Sequence, residues 1–141
     1  MSSPSEYEGI IAAVHAWARG YDPRLRLNAI LAKAGDRSLM TSASSKVAEY
    51  IGGRSDRRLS FSLAVMQPWS EGPDGLNSKA IAEGESWLAW VSEQWPSNVP
   101  DLGGLEVLAI EPDDEVPVLV QVTADGRLAR YQFNVHMDYR S

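Results

Sequence analysis

A chain of 141 residues, 44% hydrophobic and 23% charged, has the size and apolar content of one ordinary domain with a buried core. It contains no Cys, which excludes a disulfide framework and any zinc or thiol site built on Cys. The net charge of −6 argues against a surface that grips nucleic acid, because such a surface needs clustered Lys and Arg to neutralise phosphates.

Residues 1–5 lack a basic patch followed by an apolar run, so no secretory signal is expected there. No stretch approaches the roughly 20 consecutive apolar residues that span a bilayer. The expectation is a soluble, intracellular product. Residues 6–19 predict a first helix: Ser5 is placed to cap it, Glu6 and Glu8 fall in its first turn, and Ile10, Ile11, Val14, Trp17 and Ala18 recur at helical spacing. Gly20 and Asp22-Pro23 close it. Residues 24–34 fit two patterns. Leu25 and Leu27 alternate as in a strand, whereas Leu27, Ile30, Leu31 and Ala34 fit a short helix; the extended reading is preferred.

Beyond Gly35-Asp36 the period falls to two. Val47, Glu49 and Ile51 alternate with Ala48 and Tyr50, predicting a strand near 46–51, and Gly52 to Asp56 supply turn residues. Then Leu59, Phe61, Leu63 and Val65 point one way and Arg58, Ser60, Ser62 and Ala64 the other, a half-buried strand pairing back as a hairpin. Residues 68–76 predict a loop. The main helix is expected over 77–95, capped by Asn77 or Ser78 and ended by Pro96. Its stripe is Ile81, Gly84, Trp87 or Leu88, Val91 and Trp95. Leu88 and Val91 are expected to face the sheet, with Trp90 on the flank.

After a loop at 96–104, strands are expected at 105–110 and 116–122, followed by a tight turn at Asp125-Gly126. In the last strand Ala129, Tyr131, Phe133, Val135, Met137 and Tyr139 face one side, and Arg130, Gln132, Asn134, His136, Asp138 and Arg140 the other. A slip of one residue would bury that polar row, so its register is strongly specified. The fold class is therefore α+β: one domain over 1–141, an antiparallel β-sheet with two or more helices packed on one face.

Few groups offer chemistry. Arg54, Arg57 and Arg58 form the one basic cluster, with Asp56 inside it. It reads as a hairpin tip kept soluble by charge, and as a candidate contact to a neighbouring chain, where guanidinium groups pair with carboxylates. Trp87 and Trp90 most simply build the core. Together with Leu88 and Val91, however, they wrap apolar surface round more than half the helix, which makes them a candidate interface. The acidic group Glu111, Asp113, Asp114 and Glu115 lacks the spacing of a calcium-binding loop and reads as a solvated loop tip. His136 beside Asn134 and Asp138 could ligate a metal, but strand alternation accounts for it without one; His15 reads as a helix-surface residue. There is no phosphate loop, no Gly-x-Ser-x-Gly elbow and no His-Glu-x-x-His pair. No catalytic residue, metal ligand or cofactor site is assigned. A small acidic hydrolase stays open as a reading of another class, since any acidic chain offers paired carboxylates.

Several segments recur together in a known order. Gly35-Asp36-Arg37-Ser38-Leu39-Met40 leads into Lys46-Val47-Ala48-Glu49-Tyr50-Ile51-Gly52-Gly53 and Arg58-Leu59-Ser60-Phe61. The helix Trp87-Leu88-Ala89-Trp90-Val91-Ser92-Glu93-Gln94, then Pro100-Asp101-Leu102-Gly103 and Leu128-Ala129-Arg130-Tyr131-Gln132-Phe133 follow. In this order the chain resembles the family labelled minor capsid proteins in phages and prophages of Gram-positive bacteria. That family reads tyr-x-asp-gly before a strand, then a trp-leu-glu-glu-gln helix, pro-asp-phe-gly and leu-ala-arg-tyr. The resemblance covers about residues 35–140. Gly53 departs from the hydroxyl residue common there, and Trp95-Pro96 shortens the helix exit.

The resemblance implies a tail terminator of a long-tailed phage, located in the virion. Such a protein forms a sixfold ring on the head-proximal end of the tail tube, stops tube growth and meets the head-completion or connector proteins. DNA passes through it without specific binding. It implies no catalytic residue and no cofactor. Within that role Glu111, Asp113, Asp114 and Glu115 are candidates for the lumen or rim, with repulsion of DNA screened beyond about 10 Å at 0.1 M salt. A head–tail connector or true minor capsid component is the neighbouring alternative.

Overall fold

Two long strands carry the fold. In the computed structural model, which describes residues 4–42, 45–69, 77–113 and 118–140, β4 (Ser55–Pro68) and β7 (Leu128–Arg140) pair antiparallel without interruption from Asp56↔Arg140 to Pro68↔Leu128. Directly paired residues share a face, so Leu59, Phe61, Leu63 and Val65 meet Met137, Val135, Phe133 and Tyr131 on one side. All eight are buried.

Shorter strands complete the sheet on both sides of this ribbon. β2 (Arg37–Thr41) and β3 (Ser45–Glu49) line β4, while β5 (Glu106–Pro112) and β6 (Val118–Val122) line β7. β1 (Arg26–Leu27) pairs parallel with β2, so the sheet is mixed rather than purely antiparallel as expected. The predicted hairpin is present, since β3 pairs with β4 across a turn at 50–54. The turn at Asp125-Gly126 is present too: Gly126 has φ +71°, and Thr123 and Leu128 close it with hydrogen bonds.

Both helices lie on the same face of the sheet. α1 (Pro4–Ala18) buries Ile10, Val14, Trp17 and Ala18, the helical stripe read from the sequence. It begins at Pro4, a residue suited to a first helical turn, so Ser5 lies inside the helix and does not cap it. α2 (Asn77–Gln94) buries Ala80, Gly84, Trp87 and Val91. Gly84, Trp87 and Val91 of the expected stripe are buried, but Ile81 is 41% exposed with Ala80 buried in its place, and Leu88, expected to face the sheet, is only half-buried. Gly84 sets how close the helix comes. A Cβ built there would stand 2.0 Å from the Phe133 ring, so α2 approaches the sheet at the one position without a side chain, and the large Trp87 fills the space beside it. Arg37 bridges Glu83 of α2 (2.8 Å) and Asp22 (3.1 Å), and the buried Gln67 amide donates to the other Glu83 oxygen.

Three further expectations are corrected. β4 is not half-buried: from Phe61 to Gln67 both faces are covered. The loop at 29–36 folds over the second face, where Leu31, Ala64 and Met66 form a small separate core with Met40 and Leu128. Residues 24–34 are extended only at β1; Asn28, at φ +49°, bends the chain away. β2, absent from the sequence reading, is held by Asn28, whose side chain bonds the backbone and hydroxyl of Thr41.

Two predictions follow from the helix contact. Gly84→Ala gains helix propensity of about 1 kcal/mol but must displace a buried ring, and overpacking of this kind costs about 1–3 kcal/mol or more. A lowered urea midpoint, largely restored by adding Phe133→Leu, is expected. Trp87→Ala is expected to cost about 3–5 kcal/mol, more than Leu88→Ala, and chemical denaturation of the two variants checks the order.

Candidate functional site

The sheet face opposite the helices carries the polar row. At one end of the ribbon Arg58 lies opposite Asp138 and Arg140 opposite Asp56, by the register of β4 and β7. Each guanidinium grips its carboxylate with two nitrogens, at 2.8 and 3.0 Å for Arg58 and 2.8 and 3.2 Å for Arg140. Such fork-on-fork pairs are geometrically specific. The Tyr50 hydroxyl also donates to Asp56 at 2.9 Å, and Arg140 lies over the Tyr50 ring. The Arg140 hydrogen bond, with help from Tyr50, holds the Asp56 carboxyl below its ordinary value; Asp138 in turn raises Arg58.

Next along β7, His136 is 9% exposed. Its Nδ1 meets Asp113, and its Nε2 lies 3.7 Å from Glu111. Asp138, expected beside it, is turned to Arg58 instead. Among the described residues no three His, Asp or Glu side chains are placed to hold a metal ion. Ser60 faces His136 across the ribbon, which gives the order Ser, His, acid of a hydrolytic triad. The geometry does not follow through. The imidazole nitrogen that would take the Ser60 proton is turned to Glu111, and no Ser60–His136 hydrogen bond exists among the described residues. Beyond His136 the face opens into a shallow polar depression of about 320 Å³ bordered by Met40, Ser62, Asp113, Arg130, Gln132 and Asn134. Gln132 donates to Ser62 at 3.0 Å, and the buried Nε of Arg130 has no partner among the described residues.

The basic cluster of the sequence is no cluster in space. Consecutive strand residues point to opposite faces. Arg58 is therefore on the open face, Arg57 on the helix face 5.5 Å over the Tyr7 ring, and Arg54 exposed on the turn. Trp87 is fully buried in its own chain, which overturns its reading as interface. Trp90 is half-buried in an aromatic group, stacked on Trp87 at 5.8 Å and 4.8 Å from Trp17, with Tyr21 at 5.8 Å. It joins α1 to α2 and is no free flank. Of the acidic group, Glu111 and Asp113 lie beside His136; Asp114 and Glu115 fall outside the described residues. Sequence reasoning missed the Arg58–Asp138 and Arg140–Asp56 pairs, although a hairpin alignment of β4 against β7 would have placed each opposite its partner.

No described helix is long and apolar enough to cross a membrane. Comparison with protein-family models and with curated proteins gives no match.

The Asp56 pair has a pH consequence. A carboxylate held below its ordinary pKa of about 3.9 contributes stability above that value and loses it as pH falls through the folded-state pKa. The stability difference between the wild type and Asp56→Asn is expected to be constant above about pH 5 and to shrink steadily in more acid solution. Denaturant midpoints of both proteins across pH 2–7, a range of roughly neutral to strongly acid, measure it.

Proposed function

We propose that this chain is a structural protein of the phage virion, a tail terminator whose copies form a ring at the head-proximal end of the tail tube, end tube growth and join tail to head. The order of segments across about residues 35–140 supports this reading. The observation that carries it furthest is the open sheet face, where Arg58 and Arg140 are matched within the chain, Arg130 alone of its arginines showing no ion pair among the described residues. Arg58 is closed by Asp138, Arg140 by Asp56, and His136 by Asp113. Guanidinium groups already forked onto carboxylates have no charge to spare for phosphate, so a duplex can slide past such a surface without being held. Net repulsion is not required, which shifts the weight from the acidic loop to these pairs.

The test has two arms. Purified protein is imaged for rings and then added in small amounts to polymerising tail-tube subunits; capped tubes of arrested length are expected, and unaltered growth would count against the terminator role. In the second arm, duplex retention is measured against salt for the wild type and for Asp56→Asn with Asp138→Asn. The wild type should show little retention. The double variant, with two guanidinium groups released, should bind with an affinity that falls steeply as salt rises. A wild type that binds duplex as well as the variant would remove the open face from the DNA path.

A further inference from the structure

We propose that the β3–β4 hairpin tip of one copy inserts its apolar side chains into a pocket on the helix face of a second copy, making a head-to-tail contact between subunits. This deepens the ring reading above by naming the two surfaces that meet.

The pocket lies where the first turns of α1 cross the ends of β4 and β7. Its volume is about 410 Å³, and its lining of Tyr7, Ile10, Ile11, Arg57, Leu59 and Tyr139 is mainly apolar. It opens at the edge of the main core, of which Ile10, Leu59 and Tyr139 are members. A depression of this size and character is suited to bury an inserted side chain.

The occupant is indicated by where the chain leaves apolar surface in water. Of the five large hydrophobic residues exposed among the described residues, three, Val47, Tyr50 and Ile51, lie on this one hairpin. Ile51 is fully exposed at the turn, a position where small polar residues are usual. Single exposed hydrophobics need no explanation, but a group on a projecting element marks a contact site. The tip extends past the last β4–β7 pair, Asp56↔Arg140, and so lies beyond the end of the ribbon. It is also ordered in advance. Tyr50 is tied to Asp56 through its hydroxyl and to Arg140 through its ring, which limits the conformational freedom lost on docking.

Charge agrees with this pairing. The tip carries the exposed Arg54, and Glu8 is exposed on α1 one turn before the pocket residue Ile11. An inserted tip can therefore set Arg54 against Glu8. A tip that enters the next copy's pocket while its own pocket takes a third copy's tip makes a heterologous contact, which repeats until a ring closes. Reciprocal insertion would stop at a dimer, and sedimentation of the wild type as a dimer only would overturn the head-to-tail contact.

The test uses Ile51→Asp in the tip and Ile11→Glu in the pocket. Ile51 is exposed and Ile11 lies outside the buried core, so circular dichroism and melting should show both variants folded. Sedimentation should find wild-type assemblies, and each variant alone as a monomer. An equimolar mixture should give a heterodimer and nothing larger, since one intact tip and one intact pocket allow a single contact. Normal rings from Ile51→Asp would overturn the inference and leave the ring reading standing, as would a mixture that stays monomeric while the wild type assembles. A wild type that remains monomeric at high concentration would overturn both.

Discussion

The uninterrupted pairing of β4 with β7 is the constraint on which the remaining structure depends. Each of the two strands has partners on both sides, and every other strand except β1 attaches directly to one of them. The side-chain period of two then decides the whole layout. One parity builds the core against α1 and α2, and the other parity builds the open face with its Arg–Asp pairs. A one-residue slip would place Arg58 and Asp138 beneath the helices and Phe133 in water. Register is therefore fixed twice, by burial on one side and by opposed charges on the other.

Much of this was legible. The alternation of β7 predicted six of its seven buried residues, because a strand with one face on a core cannot tolerate polar residues there; the seventh, His136, is covered on the other face. The stripe of α1 was legible for the same reason at helical period. What failed were features set by distant contacts. Ser62, Ala64 and Met66 look like an exposed face until the loop carrying Leu31 folds over them, and nothing local in the strand announces that loop. On α2 the choice of Trp87 over Leu88 for the sheet was left open by the sequence, because the close approach of Gly84 to Phe133 lies across the core. The basic cluster misled for a simpler reason: closeness along a strand separates Arg57 from Arg58 onto opposite faces.

Net charge was a similarly coarse guide. The surplus of acid is partly carried by the helix layer, with Glu6 and Glu8 on α1 and Glu83, Glu85 and Glu93 on α2. On the open face the acids Asp56, Asp138 and Asp113 answer Arg58, Arg140 and His136. A surface matched in this way interacts weakly with any polyion, whichever sign the whole chain carries, because screening within about 10 Å leaves only local charge to act. Local pairing, more than the total, thus governs how such a surface meets a polyion.

The two ends of the β4–β7 ribbon are finished differently, and the difference bears on assembly. At the Pro68–Leu128 end the chain closes on itself: the Met66 backbone accepts from Gly35 and donates to Asp36 of the 29–36 loop, Trp69 donates to Arg127, and the second small core fills the sheet's other face. At the Asp56–Arg140 end no such cover exists among the described residues. There the hairpin projects with Val47, Tyr50 and Ile51 in water, and the pocket beside Tyr7 and Tyr139 lies open. Ile30, exposed on the 29–36 loop, stands singly at the closed end, whereas three exposed hydrophobic residues and an unfilled apolar depression share the other, beside a tip that Asp56 holds in place. Single exposed hydrophobic residues are ordinary on any surface, and it is their grouping on one element that distinguishes the two ends.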